Sequence, residues 1–454
     1  MLKRYCYTVL FNLCVPWLVL HLLWRSRRVP SYRQRIGERF GYVPQRTTTA
    51  AGFAPCIWLH AVSVGEVMAA RPLVDALLRE HPQATCWITT TTPTGSAMVL
   101  QLFAAEVARM RVMHSYLPYD LPNGIARFLQ RVQPTLWLVM ETEIWPNWYY
   151  ACAKRRIPIL LVNARLSARS LRGYARLGGL IRHTLAYVTS LVARSAQDAD
   201  AFQQLGMPAS RILVGGNVKF DLSVPAGLAA KAQQLRQAWG DAPVWVAGST
   251  HEGEDTIILA VYQQLRQTFP QLKLVLVPRH PQRFDTVYEQ CQQVVVPRGW
   301  QVTRRSQCAE LPSDTAILLG DTLGELLLWY ALADVAFIGG SLVERGGHNP
   351  LEAAIWGVPV VSGQHTANFA DMFPALCAVG GAKQVQDAAQ LQQVLTDWLS
   401  HAPDRQAAGQ QARAFVLQQQ GATALILQCV QNQFAHVKPF LATHTTAHAQ
   451  VISY

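Results

Sequence analysis

The sequence predicts an α/β protein with two doubly wound domains, each built on a mainly parallel β-sheet, preceded by a membrane-anchor helix. Three observations lead to this fold class. An almost wholly apolar stretch lies near the start, and two separate series of short apolar runs alternate with helix-length segments. The chain has 454 residues, a length that favours two or three domains over one.

The apolar stretch from Tyr5 to Trp24 is interrupted by Asn12 and His21 and is long enough to cross a bilayer as a helix. A signal peptide would have a shorter apolar core and a small-residue cleavage site, whereas this stretch ends in WRSRR. A monotopic helix lying in the membrane interface is the stronger alternative, because the stretch is only just long enough to span. We favour a single spanning anchor within residues 1–30.

Positive charge is concentrated beside this stretch. Residues 1–46 hold nine Lys and Arg against Glu38, which supplies a net +8 of the protein's +12. More cations follow the stretch than precede it, so the body of the protein is expected on the cytoplasmic side. A basic block at one end favours an anionic membrane surface as partner rather than nucleic acid.

The nine cysteines are scattered and none forms a CxxC pair. They are expected to be reduced, and they predict neither a disulfide framework nor a zinc site.

The first series of apolar runs follows a Thr/Ala/Gly-rich linker at 47–55. It comprises CIWLH (56–60), TCWITTT (85–91), TLWLVM (135–140), IPILLVN (157–163) and SLVA (190–193). Continuous apolar strands that alternate with helices are typical of a parallel sheet covered on both faces.

The second series restarts after a Pro- and Gln-containing hinge at 217–237. It comprises VWVAG (244–248), LKLVLVP (272–278), AILLG (316–320), DVAFIGG (334–340) and VPVVSG (358–363). The predicted domains are therefore 31–220 and 221–435, and residues 436–454 are expected to form a mobile tail. Two such open sheets would make a cleft with ligands at the carboxyl ends of strands.

Two acidic motifs follow strands of the first domain. HAVSVGE (60–66) runs into a helix, and Glu66 at the helix start is a candidate general base for a hydroxyl nucleophile. A carboxylate that complements the helix dipole is the competing interpretation. METEIWP (140–146) places Glu141 and Glu143 beside an apolar Trp-Pro pair, which is either a site with perturbed pKa values or a solvated loop.

Basic residues of the first domain form a second set of candidates. NARLSARSLRGYAR (163–176) spaces Arg165, Arg169, Arg172 and Arg176 as one helical stripe. Such a face suits a phosphorylated lipid, although an ordinary solvated face has the same pattern. Lys219 in GGNVKFD could serve as a fixed cation.

The second domain carries candidates for anion and ribose binding. Arg279 and His280 end a strand in VPRHP, where they suit a phosphate, or a structural pair with an acid. Asn349-Pro350 opens a helix in GGHNPLEAA, with Leu351 next and Glu352 in its first turn. Backbone amides there suit an anion and the carboxylate suits ribose hydroxyls, although Pro at a helix start is ordinary helix chemistry.

No metal site is expected. Asp198-Ala199-Asp200 spells a DxD motif, but it lies in SAQDADAFQQLG, which is predicted to be a helix capped by Ser195. HExxH, Walker A and GxSxG patterns are absent from the sequence, so metalloprotease, P-loop NTPase and serine hydrolase functions have no support.

Taken in order, ten motifs resemble the 3-deoxy-D-manno-octulosonic acid (Kdo) transferases of lipopolysaccharide synthesis. They are HAVSVGE, TTTTPTG, LPYDLP, METEIWPN, NARLSARS, KFD, STHEGE, VPRHP, GDTLGEL and GGSLVERGGHNPLEAA. The resemblance starts near residues 32–41 and runs to about residue 430.

The resemblance implies a GT-B glycosyltransferase fold, with two Rossmann-like domains facing across a cleft. It implies Kdo transfer from CMP-Kdo to a lipid A precursor (lipid IVA) at the bacterial inner membrane, with inversion and without a metal or other cofactor. Glu66 would be the general base, and Glu141 and Lys219 would support the transition state. CMP-Kdo would be bound by Arg279, His280, Gly324, Glu325, Leu326, Asn349, Pro350, Leu351 and Glu352.

Two other functions remain open at the level of sequence. A GT-B epimerase or a transferase that uses a UDP-sugar would share the ribose contact but would need neither the anchor nor the basic stripe. A catalytically inactive nucleotide sensor at the membrane is a different class, and the presence of Glu66 and Lys219 argues against it.

Overall fold

The chain divides into two compact units. The first comprises Met1–Asp221 and Gln420–Tyr454, and the second comprises Leu222–Gln419. The computed structural model describes residues 2–46, 54–222 and 224–447, with side chains as far as residue 435. Most of the predicted linker at 47–55 lies outside the described residues.

The first unit begins with helix α1, Leu2–Arg25, which by length and composition could cross a membrane. Its sheet has seven parallel strands in the order β3-β2-β1-β4-β5-β6-β7. The strands are β1 Cys56–His60, β2 Thr85–Thr90, β3 Val112–Tyr116, β4 Leu136–Met140, β5 Ile159–Ala164, β6 Ser190–Ala193 and β7 Ile212–Val214. The helices are α2 Val64–Glu80, α3 Pro93–Leu102, α4 Ala104–Ala108, α5 Pro122–Val132, α6 Pro146–Lys154, α7 Ala168–Leu177, α8 Gly179–Leu185 and α9 Ala196–Gln204.

The central strands of this sheet are buried on both faces, which is why they appear in the sequence as continuous apolar runs. Trp58 of β1 and Trp137 of β4 stack with their ring centroids 4.2 Å apart. These two strands are neighbours, and the strand order reverses between them. The carboxyl ends of β1 and β4 therefore meet at the topological switch point, where ligands bind in open α/β sheets.

The second unit repeats this architecture with seven parallel strands in the order β10-β11-β9-β8-β12-β13-β14. The strands are β8 Val244–Thr250, β9 Lys273–Pro278, β10 Gln301–Arg304, β11 Thr315–Leu319, β12 Val335–Ile338, β13 Val360–Ser362 and β14 Ala382–Gln384. The helices are α10 Leu228–Gln237, α11 Glu254–Thr268, α12 Phe284–Val295, α13 Leu326–Leu332, α14 Leu351–Ala354, α15 Phe373–Ala378, α16 Ala388–Ser400 and α17 Ala402–Gln418. Its switch point lies between β8 and β12.

The last helix, α18 Ala422–Ala447, returns to the first unit. Ala422, Ile426 and Val430 form an apolar stripe at helical spacing and are buried in the first unit's core. The predicted division differs here, because it assigned residues 420–435 to the second domain. It also expected a mobile tail at 436–454; helix α18 continues to Ala447, and residues 448–454 lie outside the described part.

Candidate active site

Glu66 lies in the first turn of α2, as the sequence predicted. Ser63 occupies the N-cap position, and the Glu66 carboxylate turns back so that the backbone amide of Val62 donates to it at 2.8 Å. This contact satisfies a backbone amide just before the helix, which is a structural role close to the helix-dipole interpretation given above. It also holds the carboxylate at the carboxyl end of β1.

The protonation of Glu66 is controlled by its surroundings. Its pKa is raised to about 7, chiefly by burial and also by the nearby carboxylates of Glu141 and Glu143, while the Val62 amide and His60 act in the opposite direction. A carboxyl with a pKa near 7 exchanges protons readily at neutral pH. Glu66 is therefore suited to general-base catalysis.

Glu141 and Glu143 follow β4, the strand beside β1. Glu141 has a left-handed backbone with φ of 54°, so the chain leaves the strand immediately and the two acids do not share a strand face. The indole N–H of Trp145 donates to the Glu143 carboxylate at 2.7 Å, and the Tyr149 hydroxyl donates to the Glu143 carbonyl at 2.7 Å. The sheet thus brings these acids to the same edge as Glu66.

His60, the last residue of β1, joins this cluster. Its side chain is fully buried, and its Nε2 lies 3.8 Å from the Glu143 carboxylate. Nδ1 is within hydrogen-bond distance of the Thr89 carbonyl at 3.1 Å and of the Thr89 hydroxyl at 2.9 Å. Sequence reasoning quoted the HAVSVGE motif but assigned no role to His60, although its position at a strand end was a usable signal.

Lys219 lies in a short 3₁₀ turn, Val218–Phe220, that packs against α2, the helix that carries Glu66. Asn163 positions this turn, since its Oδ1 accepts from the Val218 amide at 3.2 Å. Asn163 is buried and has a left-handed backbone with φ of 52°. It is a second residue that the sequence analysis quoted without a role.

The predicted arginine stripe is only partly helical. Helix α7 begins at Ala168 with Ser167 as its N-cap, so Arg165 precedes the helix and Arg169, Arg172 and Arg176 lie on it. All four arginines are exposed. The prediction extended the helix too far, because the Ser167 cap fixes its start.

Asp198 of the DxD motif has a structural role. It lies in α9, whose N-cap is Ser195, and its carboxylate accepts from the Leu166 amide at 2.7 Å and from the Ser195 hydroxyl at 2.6 Å. Asp200 is exposed. The prediction that this motif is part of a capped helix is confirmed.

In the second unit, Arg279 and His280 directly follow β9, the neighbour of β8. The ring of His280 packs edge-on against His251, and His251 stacks on His348 with the two Nε2 atoms 2.9 Å apart. Burial, and then the positive charges nearby, lower the pKa of both His251 and His348 to about 4. A neutral histidine pair amid arginines is a site that favours an anion.

Gly340 faces this histidine pair with a left-handed φ of 70°. A β-carbon placed there would lie 3.1 Å from the ring of His348 and 3.3 Å from the ring of His251. Glycine is therefore required both for the backbone conformation and for the space.

Glu254 holds this site together. Its carboxylate is fully buried and accepts from four backbone amides, those of His251 at 2.9 Å, Gly340 at 2.6 Å, Ser341 at 2.9 Å and Leu342 at 2.9 Å. It joins the loops that follow β8 and β12, at the second unit's switch point. The sequence analysis assigned no role to Glu254, His251 or His348. For the two histidines, the position of STHEGE and GGHNP after strands was a usable signal.

Gly324, Glu325 and Leu326 form the turn into α13. Gly324 has a left-handed φ of 83°. The Glu325 carboxylate is paired with Arg305 at 2.9 Å, Lys231 at 3.2 Å and the Thr322 hydroxyl at 2.6 Å. Although burial opposes this change, these donors lower the pKa of Glu325 to about 2. Arg305, Cys308, Thr322 and Glu325 border an open depression of about 660 Å³.

Helix α14 begins at Leu351, directly after Asn349 and Pro350. Glu352 lies in its first turn, as predicted. The Asn349 Oδ1 accepts from the Leu351 amide at 3.1 Å, and its Nδ2 donates to Glu352 at 3.2 Å. Burial raises the pKa of Glu352. Helix α14 is a single turn of four residues, so its macrodipole adds little to anion binding.

A family model described as 3-deoxy-D-manno-octulosonic-acid transferase (kdotransferase) matches residues 34–222. A 3-deoxy-D-manno-octulosonic acid transferase of Haemophilus influenzae is 39% identical over 93% of this chain and 97% of its own length. The chain belongs to the Kdo transferase family.

A second Kdo transferase, from Bordetella pertussis, is 37% identical over 94% of this chain and 99% of its own length. The solved structure of a UDP-GlcNAc 2-epimerase from Neisseria meningitidis aligns with a TM-score of 0.52 at 14% identity, over 83% of this chain and all of that one. The epimerase shares the fold alone. Together with the two seven-stranded sheets, it confirms the predicted GT-B fold class.

Proposed function

We propose that this Kdo transferase moves Kdo from CMP-Kdo to a hydroxyl of the lipid A precursor lipid IVA, with inversion at the anomeric carbon. The observation that carries the proposal is Glu66, whose pKa is about 7 and which lies at the switch point of the first sheet. In a family defined by Kdo transfer, a base at this point serves the acceptor hydroxyl.

In the proposed reaction the acceptor hydroxyl attacks the anomeric carbon of Kdo while Glu66 takes its proton. The bond between that carbon and the CMP phosphate breaks, and CMP leaves with the bonding electrons. Glu141 and Glu143 serve two purposes: they raise the pKa of Glu66, and their negative charge favours an oxocarbenium-like transition state. No step requires a metal or another cofactor.

Charge that develops on the leaving phosphate requires fixed cations. Lys219 and Arg279 supply them, and preorganised charges of this kind stabilise a transition state more effectively than solvent. Arg279, His280 and the His251–His348 pair also suit the carboxylate of Kdo. The turn Gly324–Leu326 and residues Asn349–Glu352 are the proposed contacts for the rest of CMP.

The acceptor is a phosphorylated lipid, so we place the enzyme at the bacterial inner membrane. The basic block of residues 1–46 suits the anionic cytoplasmic leaflet, so we place it on that side. The exposed arginines Arg165, Arg169, Arg172 and Arg176 suit its phosphates or anionic lipids. Helix α1 and the basic residues after it supply membrane attachment.

The test is mass spectrometry of a tetra-acylated lipid A precursor after incubation with the purified protein and CMP-Kdo, with chelator present. Mass increments of one or more Kdo units would support the proposal and count the units added. If folded protein left both substrates unchanged, the donor or acceptor would be different. Activity that depends on added metal would contradict the metal-free mechanism.

A further inference from the structure

Helix α1 has two faces that run along its whole length. The less exposed positions recur every three or four residues, as on one side of a helix: Arg4, Tyr7, Thr8, Phe11, Val15, Leu18, Val19 and Leu22. At 24 residues, the helix is about 36 Å long. One continuous side of it is therefore partly covered from start to end.

The first half of this covered face contacts α6. The Arg4 guanidinium donates to the Asn147 Oδ1 at 3.0 Å and lies 3.6 Å from the centroid of the Tyr150 ring. The Thr8 hydroxyl donates to the same Asn147 oxygen at 2.9 Å, and Phe11 packs edge-on against Trp145. These contacts hold the amino-terminal half of α1 against the body of the first unit.

The far end of α1 is held to the same unit. Arg25 lies over the ring of Tyr32, with its guanidinium carbon 4.6 Å from the ring centroid. A few residues later, Arg35 donates to the Ser96 hydroxyl at 3.1 Å, and the Glu38 carboxylate accepts from the Tyr116 amide at 2.9 Å. Both ends of the helix are thus attached to the first unit.

The opposite face of α1 is apolar and exposed. Its large side chains are Leu2, Tyr5, Val9, Leu10, Leu13, Trp17, Leu20, Leu23 and Trp24. Exposed arginines Arg25, Arg27 and Arg28 follow its end. An apolar face that ends in aromatic and basic residues matches the interface of an anionic bilayer.

We propose that α1 lies in the plane of the membrane interface as a monotopic helix and does not cross the bilayer. A crossing helix attached along its length would carry α6 and the polar group of Arg4, Asn147 and the buried Asp120 into the hydrocarbon core. Charged and polar groups at that depth are costly. The in-plane orientation buries the apolar face in lipid while every contact with the body is kept.

This orientation also places the catalytic acids near the lipid. Trp145 packs against Phe11 of α1, and its indole N–H donates to Glu143 of the carboxylate cluster. The acids therefore lie one side chain from the membrane-facing helix. The inference concerns the helix alone, so it holds whichever acceptor the enzyme uses.

The test is the location of the amino terminus. A short hydrophilic epitope with a protease site, placed before Met1, is exposed to protease in spheroplasts and in inverted inner-membrane vesicles. We expect cleavage only in inverted vesicles, the same pattern as an epitope after Tyr454. Cleavage in intact spheroplasts would place the amino terminus in the periplasm and overturn the proposal.

A cross-linking experiment tests the same proposal without any tag. The exposed native cysteines of α1 are first replaced by Cys6→Ser and Cys14→Ser. In this background, cysteines introduced as Thr8→Cys and Asn147→Cys should be joined by a short bismaleimide in native membranes. The pair Leu13→Cys and Asn147→Cys is the matched control and should stay unlinked, because Leu13 lies on the exposed face. If the first pair fails to link in folded, active enzyme, α1 has left the body and the proposal is wrong.

Discussion

The carboxylate of Glu254 accepts a hydrogen bond from the backbone amide of Gly340 at 2.6 Å, although 86 residues separate the two in sequence. Three further amides bind the same carboxyl group, so its buried oxygens are satisfied by peptide dipoles. The loop that carries Gly340 is thereby fixed beside His251 and His348. Glu254 is thus a positioning residue for the proposed donor site.

We expect Glu254→Gln to destabilise the second unit and to weaken CMP binding. The amide group of glutamine would place N–H donors against backbone N–H donors, at a cost of about 2–4 kcal/mol. Denaturant unfolding and calorimetric titration with CMP measure the two effects. Glu252→Gln, at an exposed position two residues away, is the control and should behave as wild type. Normal stability in the Glu254 variant would contradict this role.

Substitution of Glu66 tests the proposed base. Glu66→Gln should lower kcat by about 10²- to 10⁴-fold, the usual contribution of general-base catalysis. In the wild type, kcat/KM should rise with pH through about 7, because only the deprotonated carboxylate accepts a proton. Glu80→Gln, at the exposed end of the same helix, should leave both unchanged. Full turnover by the Glu66 variant would refute the mechanism.

The same substitution should stabilise the fold at high pH. Because the folded pKa of Glu66 lies above its usual value of 4.5, folding favours the protonated form, and wild-type stability falls as pH rises from about 4.5 through 7. Glutamine mimics the protonated form without this penalty. Glu66→Gln should therefore exceed the wild type by about 1–3 kcal/mol at pH 8, with little difference at pH 4.5. Denaturant unfolding of both proteins at pH 4.5 and pH 8 measures this difference in the free energy of unfolding. A difference that does not change with pH would contradict the link between Glu66 protonation and stability.

Two substitutions of Asn163 distinguish its effect on the position of Lys219 from its effect on the stability of the fold. Asn163→Gly keeps the left-handed backbone but removes the oxygen that binds the Val218 amide, so it should lower kcat by about tenfold, since one hydrogen bond contributes about 1 kcal/mol. Asn163→Ala should lose the same activity and about 1 kcal/mol more stability, because alanine is strained at positive φ. Steady-state kinetics and thermal unfolding distinguish the two. If the Gly variant were fully active, Asn163 would not position Lys219.

Charge reversal tests the arginine stripe of α7. The double change Arg169→Glu and Arg172→Glu should reduce activity on acceptor in anionic vesicles much more than on a short-chain soluble acceptor, because each cation near such a surface contributes about 1 kcal/mol. Arg109→Glu, at an exposed position outside the stripe, is the control. Equal loss on both acceptors would remove the membrane role from these residues.

The strands that the sequence failed to predict are those at the edges of the two sheets. All ten predicted apolar runs correspond to strands, whereas β3, β7, β10 and β14 were missed. An edge strand is covered less completely, so its residues need not be apolar: β7 and β14 are largely exposed, while β1 and β4 are buried throughout. Central strands have a continuous apolar signal for the same reason.

The site residues follow a similar logic. Glu66, Glu141 and Arg279 were predictable because each follows a strong strand signal, and parallel strands end at one edge. Glu254 and Asn163 were not, since their roles depend on amides far away in sequence. A carboxylate that binds backbone N–H groups leaves no mark on the residue types of its partners, so only the fold reveals it.

The return of α18 to the first unit has a consequence for synthesis of the chain. Residues of the second unit are contiguous from Leu222 to Gln419, whereas the first unit's core needs Ala422, Ile426 and Val430, and Asp221 accepts from the amides of Gly421 and Thr423. During synthesis on the ribosome, the second unit is complete while the first unit still lacks helix α18. The nascent first unit therefore exposes apolar surface until α18 has been synthesised, and a nonsense mutation near codon 420 would damage the first unit and spare the second.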